Sequence, residues 1–359
     1  MLSWVGFVVG VVGYLGTMGS VIETTVVPRG TRSRTTRIVA ANVGRTFQYI
    51  ADRFDTWERR DRVWTLGGPT FLLSLLVAWL LLLLGEMTLI FVPFVHGSPR
   101  GAFVAAGSSL FTLGVATPAH LVPLGFVFLG AGSGLVVVTL QIAYLPTLYS
   151  SFSRREVQVT ILDALAGSPA WGPEVLTRFA LIDSIDALDA HYGRWTEWAA
   201  DVSESHIAYR SLIYFRSPTP TRSWVISLLA MLDAAALHLA LCPESAPRSA
   251  RRLLRVGYRC LQDMAASSRL DVVFGTGAPS DLTDEDIAVA VAQLAAAGME
   301  LERSAEEATP DFRGWRVNYE GPAYALAELI DAVPALWSGP RRRRGTSIPP
   351  LRPERAGLD

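Results

Sequence analysis

The sequence contains no lysine: all 32 basic residues are arginine. That points to GC-rich coding of the bacterial kind and says nothing about activity. Cysteine is almost as scarce. Cys242 and Cys260 lie far along the chain without a Cys/His partner at metal-ligand spacing. A disulfide framework and a zinc site are thereby disfavoured, leaving two small buried hydrophobes in a reducing compartment. No Ser/His/Asp order, Cys/His pair or carboxylate pair marks a reaction centre, so an enzyme is not expected. Charge itself is missing from two long stretches. Between Arg62 and Glu86 lie 23 uncharged residues, and between Arg100 and Arg154 lie 53. Soluble helices need a polar outer face, whereas a crossing of hydrocarbon needs roughly 20 predominantly apolar residues. The reading is a membrane protein.

Residues 2–22 form the first apolar run. No basic residue precedes it and no small-residue cleavage pattern closes it, so residues 1–28 read as an uncleaved transmembrane helix. Residues 29–63 follow as a basic loop with amphipathic pieces such as 43–54. Within 29–62 stand nine arginines against four acids, a net +5. Basic short loops stay on the cytoplasmic side, where the anionic inner leaflet complements them. A nucleic-acid role is not expected, because no fold signature accompanies the charge. The second span starts after Gly67-Gly68-Pro69 and runs past Glu86 towards Phe94. It delivers His96 and Arg100 to the outside.

Residues 101–110 are helix-competent but would span only about 15 Å, half a bilayer. That is the length of a re-entrant helix. Residues 121–148 make a third span, ending at Arg154-Arg155 on the cytoplasmic side. Residues 154–338 read as an all-α domain with helices over 157–166, 173–192, 195–211, 224–241, 250–267 and 283–301. Thr283 ahead of Asp284, Glu285 and Asp286 is a helix start, with its N-cap and acids over the positive dipole end. The stretch 224–242 is apolar enough for a further span. Asp233 and His238 interrupt it, and a mid-helix charge costs about 2.5–3.5 kcal/mol on insertion scales, so it is assigned to the soluble core. Residues 339–359, with arginines at 341–344, read as a disordered basic tail. The fold class expected is an all-α membrane protein: three transmembrane helices plus a re-entrant loop, with an all-α cytoplasmic domain.

Residues 102–114, Ala-Phe-Val-Ala-Ala-Gly-Ser-Ser-Leu-Phe-Thr112-Leu113-Gly114, continue into Val115-Ala116-Thr117-Pro118. Half a span, a Thr-x-Gly turn and a full span in this order resemble the pore domain of the potassium-channel superfamily, over residues 64–153. Farther on, Tyr144-Leu-Pro-Thr-Leu-Tyr, Ser153-Arg-Arg-Glu-Val, Glu204-Ser-His206 and Tyr214-Phe-Arg-Ser-Pro218 are similar to a group of bacterial ion-channel-like membrane proteins. The resemblance implies a filter of Thr112, Leu113, Gly114, Val115 and Ala116. It also implies a homo-oligomer, four chains closing one ring, in the cell membrane. The permeant species would be a monovalent cation such as potassium, with no cofactor and no metal site. Stripping an ion of water takes a ring of oxygens, which backbone carbonyls supply when aimed inward. Left-handed residues make that aim possible, and Gly114 adopts such dihedrals freely. The chain departs from the family at Val115, where an aromatic stands, at Ala116, where the second Gly stands, and at Thr117, where an Asp often follows. A left-handed Ala116 would cost on the order of 1 kcal/mol or more per subunit.

Supporting roles fall to further residues. Glu86, an ionisable group inside a span, is functional by default. It either reaches Ser108, Ser109 or amides behind the half-span helix, or snorkels outward beside His96. Gly130 and Gly134 share a helix face and permit close contact or a hinge. Pro146 removes a ladder bond near the inner mouth and predicts a kink. In the C-terminal domain Glu204, His206 and Arg216 are candidates for a ligand or partner site, although Glu204 and His206 point to different helix faces. The alternative function is a non-conducting scaffold or sensor with a vestigial loop and a ligand-binding cytoplasmic domain. Asp183, Asp186, Asp189 and His191 read as a solvated face.

Overall fold

The computed structural model describes residues 2–27, 33–95, 98–116, 120–270, 272, 282–340 and 347–351. Among them no β-strand occurs, only isolated bridges. The chain divides into two compact units, Met1–Ser150 and Ser151–Asp359. His96, Thr117, Pro118 and residues 341–344 lie outside the described residues.

The N-terminal unit opens with α1 (Leu2–Thr25), uncharged until Glu23. Its inward face is Gly10, Tyr14, Thr17, Ser20, Val21 and Thr24, spaced three and four apart as a helical stripe requires. Next come α2 (Arg34–Ala51), α3 (Trp57–Thr65), α4 (Gly67–Phe91) and α5 (Pro99–Leu110). The Ser33 hydroxyl caps α2 by accepting from the Thr36 amide. Ser20 and Ser33 share a hydrogen bond of 2.6 Å, and Thr24 and Thr36 one of 2.9 Å. These bonds fold α2 back onto the end of α1. Val39, Val43 and Phe47 of α2 face Thr70 and Ser74 of α4 across an open groove of about 340 Å³. Residues 29–63, expected as a loop with amphipathic pieces, are therefore largely helical where described.

The core of this unit is Trp79, Leu83, Met87, Ile90 and Phe91 of α4 against small residues of α5 and Val21 of α1. Trp79 donates its indole N–H to Ser20 at 3.0 Å. Outside, the surface is also apolar: Val8, Val12, Leu15, Leu73, Val77, Leu81, Phe128 and Leu135 are exposed. A water-soluble exterior does not carry contiguous apolar area on this scale; membrane or partner contact does.

The helix α6 (Leu121–Ala166) is one continuous element of 46 residues with Pro146 inside it. The span expected to end near residue 148 and the helix expected over 157–166 are thus one helix. The arginines 154 and 155 are helical residues within it.

In the C-terminal unit α7 (Gly172–Leu181), α8 (Leu188–Ala208), α9 (Trp224–Leu241), α10 (Arg248–Ser267), α11 (Asp284–Ala296), α12 (Ala305–Arg316) and α13 (Glu320–Leu329) follow. All 18 residues of α9 are buried, and α7, α8, α10, α12 and α13 all pack on it. Among the described residues four helices are long and apolar enough to cross a membrane, α9 among them. Here α9 is the central core helix, with Asp233 met by the Tyr319 hydroxyl at 2.8 Å and by Arg316 at 3.6 Å. The expected helix over 173–192 is broken: Asp183 takes φ +50 and a short 3-10 turn, Ile185–Ala187, precedes α8. Thr283 caps α11 in a capping box with Asp286. Part of the expected tail is tied down, since the Ile348 amide donates to Pro334 O at 2.7 Å and the Leu351 amide to Ser168 O at 3.0 Å.

Candidate functional site

The half-span element is α5. Ser98 caps it by accepting from the Gly101 amide, and Pro99 occupies its first turn. Both choices favour a helix start. Its 12 residues reach about 18 Å. Alanines 102, 105 and 106 and Leu110 face inward, and their small size lets the helix lie close to its neighbours.

The helix ends in two nested bonds. The Thr112 amide donates to Ser109 O at 3.0 Å, and the Leu113 amide to Ser108 O at 2.9 Å. That pattern needs a left-handed residue after the cap, where glycine is usual. Here the residue is Thr112, with φ +53, a strained choice for a β-branched side chain. Gly114 is also left-handed, at φ +68, with open space where a Cβ would stand. Ala116 is not left-handed, so the conformational cost expected there falls on Thr112 instead. The Ser108 hydroxyl accepts from the Ala116 amide at 3.0 Å and donates to its carbonyl at 3.4 Å. Residues 111–116 are thereby curled over the end of α5, and residues 111–115 are exposed.

Close approach to α6 fixes this turn from behind. The Ser109 hydroxyl donates to Val127 O at 2.5 Å. A Cβ on Gly130 would overlap the Ser109 hydroxyl, and one on Gly134 would overlap the Leu110 carbonyl. The two glycines are where the end of α5 seats on α6. Gly132 faces open space.

Glu86 corrects an expectation. Its carboxylate reaches neither Ser108 nor Ser109. It accepts instead from the Thr17 hydroxyl of α1 at 2.7 Å, and among the described residues the other oxygen has no hydrogen-bond partner. A Cβ on Gly13 would lie 3.0 Å from the carboxylate, and one on Gly10 would lie 2.7 Å from the Glu86 carbonyl. Glycines on α1 make room for the acid. On the same inward face of α1, Tyr14 shares a 2.6 Å hydrogen bond with Ser133 of α6.

Glu204, His206 and Arg216 are not gathered into a site. Glu204 is exposed on α8. Arg216 donates to the carbonyls of Ile330 and Asp331, closing the C-terminus of α13 as a cation there does. His206 is fully buried beside Arg155, whose guanidinium lies 3.1 Å from its Nε2. Burial, and the cation beside it, hold this imidazole well below its ordinary pKa, so it is neutral at pH 7 and can accept from Arg155. Arg155 is itself 0% exposed. It pairs with Glu156 at 2.8 Å and donates to the carbonyls of Leu212 and Phe215 at 3.0 and 2.7 Å. Trp198 donates to its backbone carbonyl at 2.9 Å. In the sequence Arg155 stands only as half of the arginine pair that ends the third span and as part of the string Ser153-Arg-Arg-Glu-Val. Its neighbour Arg154 is the exposed one, paired with Asp201 at 3.2 Å. His191, expected on a solvated face, is buried between Phe179 and Trp195. Among the described residues no three His, Cys, Asp or Glu side chains gather as a metal would require.

Comparison with family models, curated proteins and solved structures finds no match.

The arrangement offers two chemistries. The turn 111–116 presents the exposed apolar side chains of Phe111, Leu113 and Val115 beyond a 12-residue helix, while the carbonyls of Phe111 and Ala116 accept from the Thr112 and Ser108 hydroxyls. The Arg155 cluster is a closed polar knot that pins the segment 210–215 to α6 and α8.

Proposed function

We propose that the chain is one subunit of an oligomeric pore of the cell membrane that passes monovalent cations, potassium among them. In this reading α1, α4 and the first part of α6 cross the bilayer, α5 re-enters it, and the C-terminal unit is cytoplasmic. The observation that carries it is the half-length α5 ending in a turn with left-handed residues at Thr112 and Gly114, seated on Gly130 and Gly134 of α6. Non-helical backbone at membrane depth is tolerated where protein shields it or where it lines a wet cavity, and residues 111–115 are uncovered in a single chain. Four copies about an axis would cover them. The residues assigned to the filter are Thr112, Leu113, Gly114, Val115 and Ala116.

One observation favours a second reading, a non-conducting scaffold or sensor. Ser108 bonds both the amide and the carbonyl of Ala116, and the bond to that oxygen competes with an ion for it. Purified protein in potassium-loaded liposomes separates the two. A pore gives cation flux that Gly114→Asp abolishes. Flat traces from an assembled oligomer, unchanged by Gly114→Asp and Ser108→Ala, leave the scaffold reading.

A further inference from the structure

The helix α10 carries five exposed arginines: Arg248, Arg251, Arg252, Arg255 and Arg259. At 100° per residue they fall within an arc of roughly 100° and extend about 17 Å along the axis. The opposite face, with Leu253, Leu254, Cys260, Leu261 and Met264, is buried. Among the described residues none of the five arginines has a hydrogen-bond or ion-pair partner. The one acid of α10, Asp263, stands beyond the stripe, a turn after Arg259, and residues 248–262 contain none. Like charges three and four apart on a helix repel one another, so the stripe raises the helix's energy unless an external anion neutralises it. The unit as a whole is acidic: residues 154–359 hold 22 arginines against 27 acids. A stripe of one sign on a body of the other is a local feature.

We propose that this stripe docks on an anionic phospholipid surface, the leaflet of the membrane in which the chain is anchored. The inference rests on the membrane reading above and not on conduction. Charge complementarity selects an anion. The continuous helix α6, running from Leu121 to Ala166, tethers the unit to the bilayer and gives it a high effective concentration at that surface. Basic residues near such a surface each strengthen binding about five-fold. Docking would hold the C-terminal unit against the leaflet in a way that ionic strength and lipid composition control.

The test uses the full chain with a fluorophore on Ala266→Cys, an exposed position on the same face; Cys242 and Cys260 are buried. Energy transfer to an acceptor lipid is measured in phosphatidylcholine vesicles with and without roughly 30% phosphatidylglycerol. Transfer should be higher in the anionic vesicles and fall to the neutral value in about 0.5 M salt. Arg251→Gln, Arg252→Gln and Arg255→Gln together should weaken docking on the order of a hundred-fold and abolish the difference. Equal transfer from the wild-type chain in the two vesicle types overturns the proposal. Equal transfer accompanied by quenching on added duplex DNA overturns it in favour of a nucleic acid. A chain that floats with neither vesicle removes the membrane reading, and this proposal with it.

Discussion

The Glu86 carboxylate of α4 and the Thr17 hydroxyl of α1 lie 2.7 Å apart, so the acid within the apolar helix binds the first helix and not the half-span one. Hydrogen bonds between membrane helices contribute about 0.6 kcal/mol on average and about 1.7 at most. Thr17→Val should therefore lower the unfolding free energy in bilayers by about that much. Glu86→Gln should not, since its amide oxygen still accepts from Thr17. Equilibrium unfolding of the two variants decides; a Thr17→Val chain as stable as the wild type would show that the bond contributes nothing.

Gly130 and Gly134 differ from Gly132 in what a methyl group would meet. A Cβ on Gly134 collides with the Leu110 carbonyl, which is backbone at the end of α5, whereas a Cβ on Gly132 meets nothing. Overpacking of this kind costs typically 1–3 kcal/mol. Gly134→Ala should lower thermal stability and displace α5, and Gly132→Ala should be silent. Melting midpoints in detergent make the comparison, and equal effects would mean α5 does not rest on that face.

Some of this architecture was legible from residue order alone. The short helix ending at Leu110, the Thr283 cap and the placement of 224–241 in a core follow from residue order, N-cap chemistry and charges at Asp233 and His238. Rotations of apolar helices were not legible. α1 carries Tyr14, Thr17, Ser20 and Thr24 at helical spacing on its inward face, but such a stripe does not say which helix it meets, so the Thr17–Glu86 bond could not be read. Breaks were missed where tertiary context overrides local preference, as at left-handed Asp183. Continuity was missed where Pro146 and the arginine pair look like a helix end. The burial of Arg155 was hidden because all its partners except Glu156 lie 43 to 60 residues away.

Thr112 and Gly114 make a pair of opposite predictions. Thr112 is left-handed without the freedom of glycine, a conformation that costs roughly 1–2 kcal/mol for a residue bearing a Cβ. Thr112→Gly should be neutral or stabilising by up to ~1 kcal/mol, once the extra entropy of the unfolded glycine is subtracted. Gly114→Ala should destabilise by on the order of 1 kcal/mol. If Thr112→Gly stabilises the chain yet lowers liposome flux, the strain at Thr112 serves function.

Arg155 should resist replacement. Its guanidinium serves Glu156, His206 and the carbonyls of Leu212 and Phe215 at once. An ammonium on a flexible stem cannot reproduce that planar fork. Removing one member of a buried pair costs about 3–5 kcal/mol, so Arg155→Ala should melt far earlier, with Arg155→Lys only partly restoring it. Arg154→Gln, at an exposed position where the pair with Asp201 is solvated, should change stability by less than about 1 kcal/mol.

His191 gives a pH dependence with a definite sign. Burial against Phe179 and Trp195, and secondarily the charge of Arg194, push its pKa down from 6.5 to about 4. The unfolded chain therefore binds more protons than the folded one between those values, and stability falls as pH is lowered through that window. Above pH 6.5 the histidine imposes no such penalty. At 1.36 kcal/mol per unit the contribution lost by pH 4 is on the order of 3 kcal/mol. His191→Phe keeps an aromatic ring in the pocket and has no proton to bind. The stability of the wild-type chain measured against this variant should thus be constant above pH 7 and decline steadily from pH 6.5 to 4. A difference that does not vary with pH would mean that the imidazole is protonated equally well in the folded core.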